Sequence, residues 1–107
     1  MTKEEHYLKG MELFADDDLE GAVAELSKAV DIDPAYGDAL HALAMCHYHN
    51  KDFTNAVKVG KRFQEVEPDN PLAYTSMSMF YNAQGMIAKA EEMGAKAGAK
   101  PPEPDEA

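Results

Sequence analysis

The chain contains no tryptophan, a single cysteine, and half as many basic as acidic residues. One cysteine cannot form a disulfide within the chain, so a disulfide-stapled scaffold is excluded. No apolar run approaches the roughly 18 residues that span a bilayer, and the N-terminal residues are acidic rather than apolar, unlike a secretory signal. A cytoplasmic chain of 107 residues, long enough for one domain, is therefore the default expectation.

Negative charge dominates the chain and is unevenly distributed. Twenty acidic and ten basic residues give a formal net charge of −10, and residues 1–34, with ten acids against three bases, account for −7 of it. Such a surface repels phosphate backbones, which disfavours nucleic-acid binding and favours protein partners with apolar or basic segments. A solvated surface that maintains solubility is the simpler explanation of the same charge balance.

The dominant pattern in the sequence is a period of 34 residues. Three residue types recur at this spacing: Pro34, Pro68 and Pro102; Ala22, Ala56 and Ala90; Met11, Met45 and Met79. A repeat of this length predicts stacked helical hairpins, and three copies are about the minimum for a stable array. The predicted fold is therefore all-α, with repeats at about 3–36, 37–70 and 71–102 in a domain of residues 1–100. The acidic, proline-rich residues 101–107 are predicted to form a disordered tail.

Helix-capping residues divide each repeat into two helices. Thr2 and Glu5 have the spacing of a capping box, Asp18 and Asp52 are good N-caps, and Asn70 precedes a proline suited to a first helical position. The predicted helices cover about 3–15, 19–32, 38–49, 53–66, 71–83 and 86–99. The last helix is expected to be the weakest, because it has glycine at two positions where the first repeat has leucine and valine.

These features resemble the tetratricopeptide repeat. In that family, small residues at fixed positions allow the two helices of a hairpin to pack closely. The matching residues are Gly10, Ala44 and Ser78 in the first helices and Ala22, Ala56, Ala90, Ala29 and Ala97 in the second helices. Phe63 departs from this pattern, and no tryptophan occupies the position where the family favours one. The resemblance covers residues 3 to about 102 and implies a right-handed superhelical array of three helix-turn-helix hairpins.

The resemblance also implies a binding surface, because the concave face of these arrays holds extended or helical peptides. The first-helix positions that line this face carry over to Tyr7, Met11, Phe14, His41, Met45, Tyr48, His49, Thr75, Met79 and Asn82. Methionine is flexible and polarizable and suits adaptable apolar surfaces. The alternative is that these methionines belong to the core, but the helical step of 100° per residue places them away from the small residues and favours the groove.

The function implied by the resemblance is a protein-interaction scaffold or chaperone-like adaptor that contributes to complex assembly. Some family members clamp the C-terminal carboxylate of heat-shock chaperones with Lys, Asn and Arg side chains. The matching positions here are Tyr7, Met11, Ala42, Leu72 and Ser76, which argues against that role. The alternative function is a self-associating chain, such as a homodimer, or a dedicated structural subunit of a larger complex.

Catalytic, cofactor and metal sites are not expected. His41, Met45 and His49 are spaced along one helix face, but the two histidines lie about 12 Å apart along the helix axis. The Asp16–Asp18 run lacks the alternating ligands of a calcium-binding loop and is better explained as a turn and cap. No nucleophile–base arrangement, phosphate-binding loop or cofactor motif is present, so the chain is not expected to be an enzyme.

Overall fold

The computed structural model describes residues 1–98, which contain six α-helices and no strand. The helices are α1 (Lys3–Ala15), α2 (Leu19–Ile32), α3 (Gly37–His49), α4 (Phe53–Val66), α5 (Pro71–Ala83) and α6 (Ile87–Gly98). Helix α1 packs on α2, α3 on α4, and α5 on α6, while contacts of α2 with α3 and of α4 with α5 stack the hairpins. The prediction of an all-α array of three hairpins is confirmed. The predicted tail, residues 101–107, lies outside the described residues.

Side chains at the predicted caps begin four of the helices. Thr2 and Glu5 form the reciprocal capping box at the start of α1. The Asp18 and Asp52 carboxylates accept backbone N–H bonds at the starts of α2 and α4, at 3.0 and 3.3 Å. Asn70 Oδ1 accepts the backbone N–H of Leu72 at 3.0 Å at the start of α5. These bonds satisfy amide groups that a helix leaves unpaired at its N-terminus, so local chemistry sets these four boundaries.

The other two boundaries shift by one residue from the prediction. Helix α3 begins at Gly37 rather than Asp38, after Tyr36, whose side chain makes no capping bond. Helix α6 begins at Ile87 rather than Met86, since Met86 is the preceding residue whose carbonyl accepts the backbone N–H of Ala90 at 3.0 Å. Neither start has a polar cap side chain to mark it in the sequence.

The turn inside each hairpin places one residue in the left-handed backbone region. Asp17, Lys51 and Gly85 occupy the same repeat position and have φ of 63°, 61° and 78°. In each turn the N–H of this residue bonds to the carbonyl three residues earlier, and the next N–H bonds to the carbonyl five residues earlier. This is the Schellman arrangement, which favours glycine because other residues are strained at positive φ. Glycine is present only in the third of these turns.

Small residues bring the two helices of each hairpin close together. Ala22, Ala56 and Ala90 are at most 2% exposed, as their match to the repeat pattern predicts. Gly10 is under tighter constraint, because a Cβ atom there would lie 2.6 Å from Leu26 Cγ. Large side chains complete the core, and the bulkiest fully buried ones are Leu26, Leu40, Cys46, Met77 and Phe80. Among the described residues of α6, Ala90 alone is buried.

Candidate functional site

The first helices of the hairpins form one wall each of a groove. Along α1 and α3, residues three or four positions apart project from the same helix face, and near its start α5 adds a third contribution. Together with one side chain from α4 they enclose a cavity of about 290 Å³. It is lined by Tyr7, Met11, Phe14, Asp38, His41, Ala42, Met45, His49, Phe63, Asn70 and Leu72. The walls are mainly aromatic and aliphatic, as in sites that hold an apolar group.

Aromatic contacts hold the walls of the cavity in place. The ring centroids of His41 and Phe63 are 5.2 Å apart, and those of Phe14 and His49 are 5.4 Å apart. His41 Nε2 lies 3.1 Å from Oγ of Ser76, which is 3% exposed, so the imidazole bridges α3 and α5. These four rings are therefore positioned by a neighbouring helix as well as by their own helices.

Six of the ten residues predicted for the groove line this cavity. They are Tyr7, Met11, Phe14, His41, Met45 and His49. The other four lie elsewhere. Tyr48 is half-buried among hairpin contacts, with its ring centroid 5.8 Å from that of Phe53 and 5.4 Å from that of Phe80. Thr75, Met79 and Asn82 are exposed on α5 outside the cavity lining, and Thr75 Oγ1 donates to its own helix at Pro71 O, at 3.1 Å.

Five lining residues were absent from the predicted groove. The sequence pattern marks Ala42 and Leu72 only as positions that lack a carboxylate-clamp side chain, and Asn70 only as a helix cap. Asp38 lies one turn before Ala42 and two turns before Met45, so helical spacing alone could have found it. Phe63 is harder to predict as a lining residue. The sequence shows that a large side chain replaces the small residue of the repeat at this position, but it does not show which way that side chain points. It is 3% exposed and forms part of the cavity wall.

Two carboxylates near the start of α3 give the groove its negative charge. Asp38 lines the cavity, and Glu67 lies against the first turn of α3, where a Cβ on Gly37 would overlap its carboxylate. Burial lowers the pKa of His41, against the opposing effect of Asp38 and Glu67. Burial, followed by the charge of Asp38, raises the pKa of Tyr7. His41 is therefore neutral near pH 7, and Asp38 is the one lining carboxylate among the described residues.

The thiol of Cys46 is shielded from solvent. Cys46 is fully buried in α3, and burial raises the pKa of its thiol to about 11, which leaves it protonated and poorly nucleophilic. Residues 1–98 contain no group of three or more His, Cys, Asp or Glu side chains placed to hold a metal ion. Over the same residues, no helix is both long enough and apolar enough to cross a membrane.

Comparison with solved structures places this geometry among tetratricopeptide folds. The chain aligns with a MamA crystal structure at a TM-score of 0.87 and 23% identity, covering 90% of this chain and 52% of that one. The second TPR of Spaghetti (RPAP3), bound to the HSP90 peptide SRMEEVD, aligns at 0.86 and 13% identity, covering 91% and 90%. A chain of the CopN-Scc3 complex aligns at 0.85 and 15% identity, covering 89% and 56%. The present chain thus spans about half the length of the MamA chain.

Sequence comparison supports the same assignment. No curated protein matches the chain. Residues 13–59, from the end of α1 to the middle of α4, match the family model described as tetratricopeptide repeat. The resemblance to the tetratricopeptide repeat family is thereby confirmed, by that model over residues 13–59 and by the superhelical fold of the three hairpins over residues 1–98.

Proposed function

We propose that this chain is a protein-interaction scaffold that binds a peptide or helix of a partner protein in the groove between α1, α3 and α5. The observation that carries the proposal is the cavity of about 290 Å³ with apolar and aromatic walls on the first helices of the hairpins. An apolar cavity of roughly 150 Å³ is already large enough to bind benzene. The groove therefore has room for one large side chain, or two smaller ones, from a bound segment.

The structures similar in fold support a role in binding partner proteins. One of them is bound to a peptide, and another is part of a two-protein complex. A chaperone-like adaptor that shields an apolar segment of a cytoplasmic partner before complex assembly fits a groove with two methionines in its walls, because methionine adapts to differently shaped apolar groups.

Two methionines at the same repeat position provide a matched test. Met45 lines the cavity, whereas Met79, 34 residues later, is 36% exposed and lies outside its lining. Peptides would be selected from a displayed random library against the full chain and titrated by calorimetry. We expect Met45→Glu to weaken binding at least tenfold, since it places a charge in an apolar contact, and Met79→Glu to change it less than twofold.

Nuclear magnetic resonance of methyl-labelled methionine would locate the bound peptide independently of the variants. The methyl signals of Met11 and Met45 should shift on titration, while that of Met79 should not. Far-UV circular dichroism would verify that both variants keep their helices. Equal binding by both folded variants, with unchanged Met11 and Met45 signals, would show that the partner surface lies elsewhere.

The second candidate function is that of a self-associating chain, such as a homodimer, or of a dedicated structural subunit of a larger complex. The observation that favours it is apolar exposure on the third hairpin, where Ile87 is 53% exposed and Met86 is 38% exposed. Exposed apolar groups at the end of a helical stack are suited to pairing with another surface. Light scattering should then give a dimer mass for the chain and a monomer mass for Ile87→Lys. A monomer mass for both would exclude the homodimer.

A further inference from the structure

The charge lining the cavity has one sign among the described residues. Asp38 is the sole carboxylate of the lining, and no Lys or Arg belongs to it. Ion pairs within residues 1–98 do not involve Asp38, which is exposed on the first turn of α3. Its negative charge is therefore available to a bound segment at one end of an otherwise apolar cavity.

The carboxylate of Glu67 adds a second negative charge near that of Asp38. Glu67 lies over the first turn of α3, against Gly37, and its Oε1 accepts a hydrogen bond from Asn70 Nδ2 at 2.9 Å. Both Asp38 and Glu67 act electrostatically on His41 in the cavity wall, so both fields reach the cavity. Asn70 itself lines the cavity and holds Glu67 beside it.

Lys3, at the start of α1, is paired with groups outside the cavity lining. Lys3 Nζ lies 2.6 Å from Oδ2 of Asp33 and 5.2 Å from the centre of the Tyr36 ring. This pair ties the start of α1 to the end of α2, and the ammonium group does not belong to the cavity lining. The negative end of the cavity is thus left without a neutralising side chain from the described lining residues.

We propose that the groove selects a partner segment in which a large apolar side chain is flanked by lysine or arginine, with Asp38 as the residue that determines this preference. The inference rests on the proposed function of the groove and adds the charge of the partner. The apolar side chain would occupy the cavity, and its basic neighbour would lie at the Asp38 end. Charge complementarity of this kind contributes mainly to partner choice and association rate.

The proposed preference is opposite in sign to the acidic peptide held by the second TPR of Spaghetti (RPAP3). That peptide, SRMEEVD, ends in two glutamates, a valine and an aspartate. In the present groove such a sequence would bring like charges together at Asp38, which disfavours binding. A shared fold therefore does not fix the charge of the partner, and the proposed preference depends on the side chains of the present groove.

Three labelled peptides would test the inference by fluorescence anisotropy on the full chain. The first is GSKLFKSG with blocked ends, the second is GSELFESG with blocked ends, and the third is SRMEEVD with a free carboxylate. We expect the lysine peptide to bind at least fivefold more tightly than its glutamate counterpart, and SRMEEVD to bind most weakly. The preference should shrink in 0.5 M salt, because partly exposed charges are screened.

The variant Asp38→Asn should weaken binding of the lysine peptide by about two- to fivefold, the range of an exposed ion pair. It should leave binding of the glutamate peptide unchanged or slightly tighter. Asp31→Asn is the matched control, since Asp31 is exposed on α2 outside the cavity lining and its replacement changes the net charge equally. The control should leave the affinities of both peptides unchanged.

The outcomes separate the inference from the function on which it rests. If both flanked peptides bind equally and Met45→Glu abolishes both interactions, the groove is a binding site but the charge preference is overturned. Tighter binding of the glutamate peptide or of SRMEEVD overturns it also, as does an equal effect of Asp31→Asn. If the full chain binds none of the three peptides, the inference and the proposed apolar groove are both overturned.

Discussion

The third hairpin differs from the first two in what its second helix buries and in what its first helix gives to the groove. In the first hairpin α2 buries Leu26 and Val30, whereas Ala90 is the one buried residue among those described in α6. Helices α1 and α3 line the cavity over several turns, while α5 contributes Leu72 near its start. The repeat position therefore sets the helix face from which a side chain projects, whereas its residue type and the neighbouring helices together decide whether it is buried, lines the cavity or faces solvent.

The largest expected difference is in the stability lost when a buried aliphatic residue of the first hairpin or an exposed one of the third hairpin is replaced by alanine. Leu26 is fully buried and Ile87 is 53% exposed. Leu26→Ala should lower the free energy of unfolding by about 2–5 kcal/mol, because it leaves a cavity in the core. Ile87→Ala should lower it by less than about 1 kcal/mol. Urea unfolding followed by circular dichroism measures both, and equal losses would contradict the contrast between α2 and α6.

Two glycines at the same repeat position should respond to alanine in opposite directions. A Cβ on Gly60 would lie 2.6 Å from Sδ of Met77, which is fully buried, so Gly60→Ala should destabilise the fold by about 1–3 kcal/mol. At Gly94 the nearest atom is Ser78 Oγ at 3.6 Å, an ordinary contact. Gly94→Ala should therefore stabilise the fold by up to about 1 kcal/mol through helix propensity.

Thermal and urea unfolding of the two glycine variants would sharpen the comparison of hairpins. A gain in stability at both positions would show that α4 and α5 can move apart without loss. A loss at both positions would show that α6 is packed as tightly as α4.

Substitutions at the positive-φ residues of the hairpin turns should change the free energy of unfolding by smaller amounts. Gly85→Ala should cost about 1–2 kcal/mol, because alanine is strained at positive φ. Lys51→Gly should raise the free energy of unfolding by up to about 1 kcal/mol, since it removes this strain but adds flexibility to the unfolded chain. Lys51→Ala is the control, because it removes the charge and keeps the strain. Equal stability of the glycine and alanine variants at position 51 would mean that the turn is not strained there.

The smallest expected effect is a dependence of stability on pH that originates in the second hairpin. Burial lowers the pKa of His41 and His47 from the ordinary value of 6.5, with Asp38, Glu67 and Asp52 acting in the opposite direction. The unfolded chain then binds protons at a higher pH than the folded chain does. Stability conferred by neutral histidine is therefore complete above pH 6.5 and is lost as the pH falls through and below that value.

Replacement of both histidines tests this origin. The same repeat positions of the third hairpin hold Thr75 and Tyr81, so no corresponding dependence arises there. The double variant His41→Gln, His47→Gln should lose less stability between pH 7.5 and pH 5.5 than the natural chain does. Urea unfolding at the two pH values gives both losses. A loss of equal size in the double variant would assign the pH dependence to other titratable groups.

Local chemistry made most of the fold predictable from the sequence. A cap residue such as Asp18 or Asp52 acts through bonds within one helical turn, so its role is readable without knowledge of the tertiary structure. The small residues at 22, 56 and 90 recur at the repeat length, which shows that they meet the same neighbour in each hairpin. Where no polar cap was available, at Tyr36 and Met86, the predicted helix start was displaced by one residue.

The groove was less predictable, because its lining depends on neighbours from other hairpins. Phe14 and Tyr48 occupy the same repeat position, yet Phe14 lines the cavity and Tyr48 does not. The ring of Tyr48 lies close to those of Phe53 and Phe80, whereas Phe14 is beside His49. Repeat position alone treats the two residues as equivalent. The two residues meet different neighbours because the hairpins stacked beside them carry different side chains.

The buried thiol of Cys46 can report how often the folded array opens around α3. It is the only cysteine in the sequence, it is fully buried in the last turn of α3, and its pKa is raised. A thiol reagent added to the natural chain reaches this sulfur only when α3 separates from its neighbours. The labelling rate, measured across urea concentrations, thus reports how often the central helix becomes accessible and whether this happens in a local opening or only when the whole array unfolds.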